Sequence, residues 1–288
     1  MNLNHRSART IALLTLTLIV LTGQSLATSR DDPIRVLFIG NSYTYFNNLP
    51  AMLEAIAEAD DDSPIIETRM IAPGGMTLVH HWKQGDALEA INEGDWDFVV
   101  LQSQSTFGER HMIDGKPRVM GFKTFHESAR KFGKAIKAAG ATPVFYQQWR
   151  RRESPLKDFQ VISFAHHSIA LELDAKVAPV GFAFELIRKE HPELSLYISD
   201  GSHPSPTGSL VAALVFYSTI TGEGVMDIPS TLRGPAIDLR SGRAKSDAVV
   251  DLCKVDDQEA RRILQSVREA LSVPADSYVP RESPVDKK

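Results

Sequence analysis

The chain has 288 residues, of which 43% are hydrophobic and 24% charged, with a formal net charge of -4. That length suits one large α/β domain or two small ones and is ample for a buried core. No basic field points to nucleic acid or an anionic membrane surface, and a single cysteine, Cys253, excludes an internal disulfide.

Along the chain, the first stretch reads as a targeting segment. Arg6 and Arg9 precede an apolar run over 11–21, and Ser25-Leu26-Ala27 is a small-x-small cleavage site. Residues 1–27 are therefore expected to be a signal peptide, and the protein to be exported to a periplasm or the medium. An uncleaved anchor is the alternative, but the run is short for a span of about 20 residues. No stable membrane association is expected after cleavage.

The rest alternates β-rich runs with amphipathic stretches. Strands are predicted over 34–39, 65–71, 97–102, 143–147 and 176–180. Helices are predicted over 49–59, 77–91, 117–139, 154–173, 181–189 and 204–220, the third stopped by Gly140. Residues 222–246, rich in Gly, Pro, Ser and charge, read as a loop or extension. An amphipathic helix follows over 256–271, with Glu259 placed to meet Arg262. A disordered tail is expected after 274. Five strands with intervening helices predict a three-layer α/β/α sandwich around a parallel sheet. Ligands sit at the carboxyl ends of the strands in such folds.

Two motifs fall at those ends. Gly40-Asn41-Ser42-Tyr43-Thr44 follows the first strand. Gly40 permits a tight turn, and Ser42 sits at the start of a loop leading to a helix, where free backbone N–H groups can hold an oxyanion. A plain helix cap or a phosphate-binding turn is the bland alternative. Asp200-Gly201-Ser202-His203-Pro204 precedes the last core helix. At this spacing Asp200 can accept from one nitrogen of His203 while the other faces outward. Pro204 is expected to start the helix, and simple capping by Asp200 or Ser202 is the alternative. Together the motifs supply a nucleophile, a base and an orienter from opposite ends of the pattern. The α/β-hydrolase elbow is not met, because Thr44 stands where its second glycine would.

With these residues the chain resembles the SGNH (GDSL-like) hydrolases from about residue 34 to 222. The resemblance implies a flavodoxin-like sandwich, a hydrolase domain over 28–222 and a C-terminal extension over 223–288. It also implies Ser42, Asp200 and His203 as catalytic residues. An oxyanion hole would take N–H groups from Ser42 and from the block Pro73-Gly74-Gly75, with Gly75 preferred. The family's Gly-x-Asn-Asp after the third strand is absent; Leu101-Gln102-Ser103-Gln104 stands there. A Gln amide can donate in place of Asn. Gln102 and Gln104 share strand parity, and Gln104, nearer the strand end, is preferred over Gln102.

Tyr43 and Trp149 are candidates to contact substrate, with a buried aromatic as the alternative for Trp149. Arg150, Arg151 and Arg152 read as a solvated charge run; attraction of an acidic substrate such as a uronic acid is the alternative. The adjacent pairs His80-His81 and His166-His167 do not share a helix face, so no metal is expected, and no cofactor. Cys253 reads as a buried structural thiol. The expected function is an exported serine esterase acting on a small-molecule or carbohydrate ester, with carbohydrate O-deacetylation suggested by the resemblance. A lipase or thioesterase, a non-catalytic carbohydrate binder on the same scaffold, and a phosphate-binding flavodoxin-like protein are the rivals.

Overall fold

The computed structural model describes residues 32–109, 111–224 and 227–274. The signal-peptide reading of 1–27 and the tail after 274 lie outside the described residues. Five parallel strands form the central sheet: β1 (Ile34–Ile39), β2 (Ile66–Ile71), β3 (Phe98–Leu101), β6 (Thr142–Tyr146) and β7 (Lys176–Ala178), in the order β2-β1-β3-β6-β7. This is the flavodoxin-like order, in which the chain reverses its direction of winding at β1 and β3.

Side-chain alternation along these strands produces two cores, one on each face. Val36 and Phe38 of β1, Val100 of β3 and Tyr146 of β6 pack on one side. The helices there are α2 (Leu49–Glu58), α7 (Val180–Glu190), α8 (Pro206–Thr221) and α9 (Asp257–Ser272). Leu37 and Ile39, Val99 and Leu101, and Phe145 point the other way. They meet α3 (Leu78–Gln84), α4 (Asp86–Glu93), α5 (Lys123–Ala138) and α6 (Leu156–Leu173). The three-layer sandwich is therefore the observed architecture.

Several boundaries differ from the sequence reading. The helix predicted over 77–91 is two helices, because Gly85 takes a positive φ of 94° between them. The helix predicted from 117 begins at Lys123, and Pro117 lies instead in a small antiparallel hairpin of β4 (His111–Ile113) and β5 (Lys116–Arg118). Pro204 does not start the last core helix; Ser205 caps α8 and Pro206 is its first residue.

The segment read as a loop is an antiparallel hairpin of β8 (Thr231–Asp238) and β9 (Arg243–Lys254). It joins the same core as the sandwich through Leu232, Leu252 and Cys253. Cys253 is a free buried thiol, and burial pushes it up to about 12. In α9, Glu259 closes a capping box with Asp256. Arg262 pairs with Glu193 at 2.6 Å instead of with Glu259. No helix among the described residues is long and apolar enough to cross a membrane.

Candidate active site

Strand β1 runs into Gly40, where there is no room for a side chain. A Cβ there would lie 2.2 Å from Thr44 Oγ1 and 2.8 Å from Gln102 Oε1. The carbonyl of Gly40 is held by the buried ring of His81, Nε2 to O 2.7 Å. Since a carbonyl only accepts, that nitrogen carries the proton, and burial keeps the His81 pKa below its ordinary value. Asn41 then caps the four-residue helix α1 (Ser42–Tyr45), accepting from Tyr43 N–H at 3.1 Å and donating to Met76 O at 2.8 Å. This turn puts Ser42 at the carboxyl edge of the sheet, between β2 and β3.

The second motif arrives at the same place from the far end of the chain. His203 Nε2 lies 2.9 Å from Ser42 Oγ, and its Nδ1 lies 2.5 Å from Asp200 Oδ2. Gly201, at a φ of 64°, makes the turn between Asp200 and His203. The other oxygen of Asp200 accepts from the N–H groups of Ser202 and His203, at 2.8 and 2.9 Å. Burial works against the charged carboxylate, but the side-chain bond from His203 and the two backbone bonds outweigh it and hold Asp200 below its usual range. A charged Asp200 can only accept, so Nδ1 carries the imidazole proton and Nε2 offers its lone pair to the Ser42 hydroxyl. The ring of His203 stacks on Phe46, centroids 4.4 Å apart, and meets Tyr43 edge-on at 5.7 Å.

A cleft of about 410 Å³ opens over this pair. Its walls include Tyr43, Phe46, Gly75, Gln104, Ser105 and Arg151, and Leu239 from the β8–β9 turn closes one side. The N–H groups of Ser42 and Gly75 have no acceptor among the described residues, and both residues face the cleft.

The two glutamines part company. Gln102 is fully buried; its oxygen accepts from Asn41 N–H at 2.8 Å and Thr44 Oγ1 at 3.2 Å, and its nitrogen donates to Ser103 O. It ties the end of β3 to the Ser42 turn and does not line the cleft, so its candidacy as an oxyanion donor is withdrawn. Gln104 lines the cleft. Its oxygen is anchored by Thr106 N and Thr106 Oγ1, both at 2.8 Å, and its nitrogen makes one long contact of 3.2 Å to Ser105 Oγ. One N–H of Gln104 is left for a ligand.

Trp149 is not a substrate wall. It has no exposure, lying stacked between Tyr43 at 4.7 Å and Phe184 at 4.2 Å, and its Nε1 donates to Ser202 O at 2.9 Å. Tyr43 covers it, faces the cleft, and shares a 2.7 Å hydrogen bond with Ser202 Oγ. Burial raises the Tyr43 hydroxyl pKa, so it stays protonated. Sequence reasoning missed Asn47, which sits at a φ of 54° and donates to Pro204 O at 3.1 Å and Ser209 Oγ at 2.9 Å. That side chain links the Ser42 segment directly to the His203 segment. An Asn in a short polar turn carried no signal of this.

The arginine run is also not a solvated stretch. Arg150 pairs with Glu185 at 2.9 Å, and Arg151 enters the cleft. No group of three or more metal-ligating side chains occurs among the described residues.

No family model matches the chain, and no curated protein matches it. Solved structures do. A protein from Slackia heliotrinireducens assigned as an SGNH hydrolase is 30% identical, with a TM-score of 0.54, over 65% of this chain and 99% of that one. The chain belongs to the SGNH hydrolases. Two further solved structures share the fold at 16% identity. A DUF4886 family protein from Bacteroides uniformis covers 86% of this chain and 100% of its own, with a TM-score of 0.55. A variant of an acetyl-xylooligosaccharide esterase from Geobacillus Stearmophilus covers 67% of this chain and 97% of its own, at 0.53. Membership in the SGNH hydrolases makes the chain a hydrolase.

Proposed function

We propose that this SGNH hydrolase is an exported serine esterase that removes acyl groups, foremost O-acetyl groups of carbohydrates, through an acyl-enzyme on Ser42. The observation that carries this reading is the continuous hydrogen-bonded chain from Ser42 Oγ through His203 to Asp200. His203 takes the Ser42 proton as Oγ forms a bond to the ester carbonyl carbon. The carbonyl electron pair moves to oxygen, where the Ser42 and Gly75 N–H groups and the Gln104 amide receive it. Its return expels the alcohol, which takes the proton from His203. Water, activated by the same imidazole, then releases the acid and restores Ser42. Asp200 fixes the ring and stabilises the imidazolium formed at each step.

The cleft wall presents the polar side chains of Gln104, Ser105, Arg151 and Ser202, which suit the hydroxyl groups of a sugar, beside the apolar surface of Tyr45, Phe46 and Leu239. The missing family Asn favours a non-catalytic carbohydrate binder; the Ser42–His203 hydrogen bond and the free Gln104 donor weigh against one. Hydrolysis of p-nitrophenyl acetate and labelling by a fluorophosphonate probe test the chemistry. Ser42→Ala and His203→Ala are each expected to abolish turnover, and Ser42→Ala to abolish labelling. Normal turnover by Ser42→Ala sinks the proposal. A panel of acetylated sugars tests the substrate, and fractionation of expressing cells tests export.

A further inference from the structure

Three consecutive arginines meet three different fates. Arg150 is neutralised by Glu185 at 2.9 Å. Arg152 lies at the rim, 3.8 Å from Glu153, and donates to Ser199 O at 3.3 Å. Arg151 turns into the cleft that holds Ser42 and His203 and meets no carboxylate among the described residues. One of its terminal nitrogens touches Ser105 Oγ at 3.2 Å, and its Nε is buried with no hydrogen-bond partner. A guanidinium left partly desolvated, unpaired and with an orphaned donor is costly to the free protein. An anion brought into the cleft pairs that charge through the terminal nitrogens.

We propose that Arg151 forms an anion-binding subsite for a carboxylate on the ligand; given the esterase reading above, on which the substrate class rests, the ester cleaved carries an acidic group. The planar fork of an arginine matches a carboxylate with two parallel hydrogen bonds. Apart from the titratable His203, Arg151 is the only cationic side chain among the residues lining the cleft. One positive charge balances a monoanionic carboxylate and leaves a dianionic phosphate half uncompensated. The subsite is also fixed relative to the catalytic groups. Arg151 O accepts from Ser154 N at 3.0 Å, and the next residue, Arg152, donates its N–H to Gly201 O at 2.8 Å, within the Asp200–His203 turn.

The acid can sit on the acyl part or on the alcohol part of the ester, and two substrate pairs separate these. One pair is p-nitrophenyl hemisuccinate against p-nitrophenyl acetate; the other is O-acetyl galacturonic acid against O-acetyl galactose. The wild-type protein is expected to favour the acidic member of one pair in kcat/KM by on the order of tenfold to a hundredfold, the worth of one charge-assisted contact. Arg151→Gln is expected to bring that ratio to about one, and Arg151→Lys to restore part of it. A wild-type ratio near one in both pairs overturns the proposal, as does a ratio that Arg151→Gln leaves unchanged. A readout without turnover keeps the two readings apart. Calorimetric binding of glutarate and of galacturonate to Ser42→Ala is expected for at least one acid and lost in Ser42→Ala/Arg151→Gln. No binding of either acid, or equal binding by both proteins, refutes the subsite. Arg151-dependent binding with no turnover of any ester by the wild-type protein leaves the subsite standing and removes the esterase reading instead.

Discussion

Replacing Gln104 by Glu changes the amide nitrogen to an oxygen and almost nothing else in shape. The side-chain oxygen is held by Thr106 N and Thr106 Oγ1 at 2.8 Å and by Gly108 N at 3.4 Å. A Glu oxygen accepts the same three bonds, so the loop after β3 keeps its anchor. What is lost is the amide donor, including the N–H that Ser105 does not take up. One oxyanion donor is worth on the order of a hundred- to a thousandfold in kcat, about 2.7–4 kcal/mol of transition-state stabilisation. A new negative charge beside the developing oxyanion adds to the loss, up to about 4 kcal/mol for a pair about 4 Å apart at an effective dielectric near 20. Arg151 already shares Ser105 with Gln104 and would pair with the new carboxylate, which offsets much of that second effect. The expected result is therefore a fall in kcat of at least about a hundredfold on p-nitrophenyl acetate, with KM and the thermal midpoint near wild type. If Gln104→Glu turns over within threefold of wild type (roughly 0.6 kcal/mol), Gln104 is no oxyanion donor and the hole rests on two backbone groups.

Gly40→Ala would drive a methyl group against Thr44 Oγ1 and Gln102 Oε1. An overpacked site costs roughly 1–3 kcal/mol, so the thermal midpoint is expected to drop by several degrees and turnover to fall with it; an unshifted midpoint refutes the close approach. Burial holds His166 at about 3 and His167 at about 4. The unfolded chain binds protons on both rings below about pH 6.5 while the native state does not, so stability is expected to fall as pH drops from 6.5 towards 4. His166→Gln removes one of those protons and should lower the slope of unfolding free energy against pH by up to about 1.4 kcal/mol per unit. Equal slopes in urea titrations of the two proteins contradict this.

The parts of the site visible in the sequence were those set by short spacing at strand ends. Gly40, Ser42, Asp200 and His203 each lie where a strand or loop must turn, and their chemistry is written in three or four neighbouring residues. What was illegible depended on distant partners. Trp149 looks the same in sequence whether it faces solvent or a neighbour; Phe184 and Tyr43 bury it. Parity placed Gln102 and Gln104 on one face, but β3 ends at Leu101, and beyond a strand end alternation no longer holds. The β8–β9 hairpin escaped because its strands carry Gly234, Pro235 and many charges and break register at two points, so no period-2 pattern survives. The arginine run escaped because its three members have separate partners, and charge patterning describes only their common sign.

The hydrogen bond between Ser42 and His203 spans 161 positions of the chain. On the mechanism proposed above, a growing polypeptide therefore carries residues 40–45 long before it carries the base that would deprotonate the Ser42 hydroxyl. Closing so large a loop is entropically expensive and comes late relative to local helix formation. On that mechanism, the hydroxyl at position 42 has no base until the contacts of Asn47, Trp149 and Tyr43 join the two distant segments. Any nascent or truncated chain ending before residue 203 is thus an unarmed one, however well its first strands have formed.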